Sequence, residues 1–70
     1  VNNKESEMAF NRYNQVMKAA HELSDMIGTD ILDFDAEDID YLACECQCNY
    51  EGICEILGLE LPESLKPVSA

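Results

Sequence analysis

The sequence predicts an all-α protein, a helical hairpin followed by a short C-terminal turn. Apolar residues recur at steps of three and four over 8–27 and again over 36–57, as one face of a 3.6-residue helix requires. Gly28 and Asp35 punctuate the two stretches, one as a stop and one as a start. Pro62 and Pro67 bracket a last short turn.

In the first helix, 8–27, the stripe is Ala9, Tyr13, Val16, Ala20, Leu23 and Ile27, with Phe10 and Met17 on its flank. Ser6 is the expected cap and Gly28 the left-handed terminator. Residues 29–34 form an apolar connector in which Ile31, Leu32 and Phe34 plug one end of the core. Asp35 then caps the second helix, with Glu37 and Asp38 beside its positive end. A capping box prefers Glu or Gln at the third helical position, so Asp38 only approximates one.

Over 36–57 the helical stripe is Ile39, Leu42, Cys46, Tyr50, Ile53 and Leu57. A β-hairpin competes over 41–57. Leu42, Cys44, Cys46 and Cys48 alternate with Ala43, Glu45, Gln47 and Asn49, and Asn49-Tyr50-Glu51-Gly52 offers a turn. The helix is preferred because its period spans the whole segment and the alternation only part of it. Gly52 costs a helix about 1 kcal/mol relative to Ala, so a kink or break is expected there. Leu59 and Leu61 follow Gly58, and Pro62 opens a turn through Lys66.

Seventy residues make one small domain, here 8–66, between flexible ends at 1–7 and 67–70. A core of this size is marginal and usually needs disulfides, a metal or self-association. Two helices with one stripe each bury a single interface, so a third element or a second copy must cover the rest. A homodimer, as a four-helix arrangement, is expected despite a net charge of −11 on each copy.

Charge is the most informative feature for function. From 19 to 65 there is no lysine or arginine, yet this stretch holds every acid except Glu5 and Glu7. Apolar residues run through it, so it is a folded surface and not a disordered tail. Such a surface attracts cationic partners and repels nucleic acid and anionic lipid. No apolar run approaches the roughly 20 residues of a membrane span. Residues 1–7 are polar and lack a signal-peptide core, so a reducing cytoplasm is the expected compartment.

Cys44, Cys46, Cys48 and Cys54 lie too close in sequence to staple distant segments. On a continuous helix Cys46 falls in the apolar stripe and Cys54 at its edge. Cys44 and Cys48 then share an outer face with Glu37, Asp40, Glu51 and Glu55. A bland reading makes this face merely solvated. A sharper one makes these six residues a protein-binding surface, since exposed cysteine is otherwise disfavoured. A third reading takes Cys44 and Cys48, assisted by Cys54 or Cys46, as a metal- or redox-responsive site, though the spacing is not a common zinc pattern. A hairpin would strengthen that case by turning Cys44, Cys46 and Cys48 one way.

His21 beside the first stripe reads as a packed or rim residue. Nothing assembles a base, an orienter and an electrostatic stabiliser, so no catalysis and no cofactor are expected. Asp33-Phe34-Asp35-Ala36-Glu37 imitates the start of a calcium loop, but Asp38 and Cys44 stand where Gly and bidentate Glu are required. In size and charge, and in no motif, the chain resembles small acidic phage inhibitors such as anti-restriction and anti-CRISPR proteins. That resemblance implies mimicry of nucleic-acid phosphates. The leading expectation is a non-enzymatic protein that engages a basic protein surface, in its sharpest version that of a nucleic-acid-binding protein. A structural homodimer or accessory subunit is the plain alternative.

Overall fold

The computed structural model describes residues 3–67 and is all-helical, with no strand among the described residues. Helix α1 spans Asn3–Ile27, α2 Ala36–Cys46 and α3 Tyr50–Leu57. Short 3₁₀ turns occupy Ile31–Asp33 and Glu63–Leu65. Parts of the expected loose ends, 1–2 and 68–70, lie outside the described residues. Helix α1 starts earlier than periodicity suggested, so Ser6 sits within it and not at its cap.

All three helices end alike. The N–H two residues past each last turn reaches back five residues: Thr29 to Ser24 O at 3.2 Å, Cys48 to Ala43 O at 3.0 Å, and Leu59 to Cys54 O at 2.8 Å. This bond needs a left-handed residue just before it. Gly28 (φ 65°) and Gly58 (φ 72°) supply two, and Gln47 (φ 54°) the third.

The single helix expected over 36–57 is therefore two. The break falls at 47–49, not at Gly52. Asn49 restarts the chain by accepting the Gly52 N–H at 2.7 Å. Gly52 is the third residue of a capped first turn, and a Cβ there would stand 2.8 Å from Asn49 Oδ1. Glycine thus lets the cap close tightly and does not break the helix. At α2, Asp35 Oδ1 accepts from Asp38 N at 3.2 Å and Asp38 Oδ2 from Asp35 N at 3.1 Å, so aspartate completes the capping box.

The core takes Val16, Ala20 and Leu23 from α1, Phe34 from the connector, Ile39, Leu42, Ala43 and Cys46 from α2, and Ile53, Cys54 and Leu57 from α3. Leu59, Leu61 and Leu65 pack half-buried against it. Five of the six residues expected in the second stripe are buried. Tyr50 is the half-buried exception.

The first stripe is shorter than expected. Tyr13 is 47% and Ile27 45% exposed, while Leu32 leaves the core plug at 69%. Ala9 lies outside the residues whose side chains are described. For Tyr13 and Ile27, both on α1, the reason is length. At 1.5 Å per residue α1 runs about 37 Å and α2 only about 16 Å, so α1 outruns its partners. The Cα radius of gyration, 12.8 Å, exceeds the roughly 11 Å of a compact domain of this length. The molecule is a slab 18 Å thick and 38 by 36 Å across.

Candidate functional site

The acidic stretch is displayed as a surface. Every Asp and Glu from Glu22 to Glu63 is exposed, except half-buried Asp38, which is engaged in the capping box. No buried polar or charged side chain occurs among the described residues. The one ion pair among them, Lys66 Nζ to Glu63 Oε2 at 3.5 Å, is exposed and contributes little.

Of the six candidate residues, Glu37, Asp40, Cys44, Glu51 and Glu55 are exposed and Cys48 is half-exposed. They do not form one continuous helix face, because the left-handed turn at Gln47 redirects the chain between Cys44 and Glu51. Five of them line three separate grooves, and Glu37 stands apart from all three in the first turn of α2.

Asp40, Cys44 and Cys48 line a shallow groove of about 250 Å³ with Ala43, Asn49 and Tyr50. Across it the Tyr50 hydroxyl donates to Asp40 Oδ1 at 2.7 Å. That hydrogen bond, reinforced by the Asp40 charge, raises the phenol above its ordinary value. Glu51 lies by a second groove, where Leu61, Leu65 and Pro67 fold back over Asn49 and Tyr50. Glu55 faces α1, lining a groove of about 430 Å³ with Arg12, Tyr13, Gly52 and Ile56.

Two of these features were hidden from a reading by periodicity. The Tyr50–Asp40 bond joins residues ten apart that a straight helix would separate, and only the break at Gln47 lets α3 fold back. That Arg12 and Glu55 line one groove is a matter of tertiary packing and leaves no local signal.

The cysteines separate by environment and none is paired: Cys44 is exposed, Cys48 intermediate, and Cys46 and Cys54 buried. Burial raises the Cys46 thiol, helped by Cys48 and Glu45, and burial raises Cys54. Their Sγ atoms point to backbone carbonyls, Gln15 O at 4.0 Å and Glu60 O at 3.9 Å. Raised, inward thiols make poor metal ligands and poor nucleophiles. No group of three or more His, Cys, Asp or Glu side chains among the described residues converges to hold a metal ion. Cys46 and Cys54 thus do not join Cys44 and Cys48 in one ligand set. His21 is exposed. No described helix is long and apolar enough to cross a membrane.

Comparison with known proteins gave no match: no family model matches the chain, and no match arose among curated proteins or solved structures.

Proposed function

We propose that this chain is a non-enzymatic, cytoplasmic binding protein that engages a basic protein surface through its acidic faces. Glu37, Asp40, Glu51 and Glu55 supply charge, and Cys44 and Cys48 supply small apolar contacts beside Asp40. The sharpest form is an inhibitor that occupies the cleft of a nucleic-acid-binding protein by presenting carboxylates where phosphates would lie. One observation supports this above others: from 19 to 65 every charged side chain is acidic and held at the surface by a capped helical scaffold. Self-association belongs to the same reading, because a slab this thin leaves apolar side chains uncovered.

The test is association kinetics with basic nucleic-acid-binding proteins of the source cell. Steered association is fast and slows steeply as salt rises. Charge reversal at Glu37 and Glu51 slows it further, and reversal at Asp40 and Glu55 acts in the same direction. Excess duplex or single-stranded nucleic acid competes. Binding indifferent to salt and to all four reversals would reduce the acidic surface to a solubilising role.

A second reading is favoured by Cys44 and Cys48 lining one groove: a redox- or metal-responsive module using that pair. Reduced protein would then bind zinc or copper(I) stoichiometrically with release of protons, and serine at both positions would abolish it.

A further inference from the structure

We propose that a second copy of this chain docks on the groove between the N-terminal half of α1 and α3, through reciprocal Arg12–Glu55 pairs around Tyr13. The occupant follows from charge. An isologous contact uses the same patch on both copies, so the patch must complement itself. Over most of the surface it cannot, because from 19 to 65 acid would meet acid. The α1–α3 groove differs. It carries one cation, Arg12, and one acid, Glu55, on opposite helices, with Tyr13 and Ile56 in the same lining.

Arg12 and Glu55 form no ion pair with each other within the chain. Each is exposed and able to meet its complement on a second copy. Phe10, one turn from Tyr13 and 65% exposed, extends the apolar strip outward along α1. At this groove Arg12 disfavours a basic partner, so Glu55 serves one only from the monomer, and the net charge of −11 repels nucleic acid. A second copy satisfies both ends.

The inference rests on the self-association proposed above, and one experiment separates the two. Sedimentation equilibrium of the full chain, over a range of concentration and salt, is compared for wild type, Arg12→Glu, Glu55→Arg and the double variant. Circular dichroism checks each fold, which exposed substitutions should leave intact. Wild type should exceed its 7.9 kDa monomer mass as concentration rises. Each single reversal should weaken the dimer about tenfold or more, and the double reversal should restore it to within about threefold.

The sign for Glu55→Arg is decisive. It lowers the net negative charge, so repulsion between whole molecules alone would make the dimer tighter, and this interface makes it weaker. Should Arg12→Glu disturb the helix, Arg12→Gln reports the same loss without adding an acid. A wild type of monomer mass at every concentration and salt overturns both the interface and the self-association. A dimer indifferent to the reversals, tightened by Glu55→Arg, or not restored by the double variant overturns the interface alone.

Discussion

Gln47 is the only non-glycine residue in a left-handed conformation among the described residues, and it sits where Gly28 and Gly58 sit in the other helices. A side chain there costs about 1 kcal/mol, partly offset because glycine is freer in the unfolded chain. Gln47→Gly should therefore stabilise the fold by a few tenths to about 1 kcal/mol in urea unfolding, and Gln47→Val should destabilise it. Asn49→Ala removes the cap of α3 and should cost about 1 kcal/mol. The thiols should react in order of access, Cys44 first and Cys48 next, with Cys46 and Cys54 silent to alkylation until unfolding.

Titration at these positions also has a direction. Tyr50, Cys46 and Cys54 all have values raised in the fold, so the unfolded chain loses these protons more readily. Their contribution is full below the unfolded values, about 9 for the thiols and 10 for tyrosine, and is lost as pH rises through the folded ones. The urea midpoint should fall on the alkaline side, and Tyr50→Phe should reduce that slope.

At the scale of elements, α2 and α3 meet α1 through few side chains. Ile53 is fully buried, and Ile53→Ala should cost about 2–5 kcal/mol, comparable with the entire stability of a domain this small. Its circular dichroism at 25 °C should report a largely unfolded population. The elements themselves were legible. The apolar steps gave the helical type throughout, and Gly28 and Asp35 gave the ends of the first loop. The break inside 36–57 was not, because the residue that stops α2 is a glutamine and the nearest glycine belongs to the start of α3. Exposure of Tyr13 and Ile27 escaped for a related reason: periodicity reports which face could be buried, and only helix length decides how much of it finds a partner. The exposure of the candidate acids was legible from their charge, and their arrangement was not, since the turn at Gln47 divides the expected stripe, leaving Glu37 apart and the other five residues in three grooves.

For the whole molecule, like charges crowd a slab with little interior. Screening should then stabilise it, and the urea midpoint should rise from low salt to about 0.15 M and beyond, where the Debye length drops to about 8 Å. The same salt should slow capture by a basic partner, so one surface gives opposite responses in stability and in binding rate. Helix α1 also acts as a ruler longer than what it measures. Its backbone amides near Val16 to Leu23 lie over the core and should trade hydrogen for deuterium only when the domain opens. Those near Phe10 and Tyr13 have water on their outer side and should trade by fraying. A gradient of exchange along this one helix, steep at low concentration and flattened once the α1–α3 groove is filled, would report occupancy at single-residue resolution without any measurement of mass.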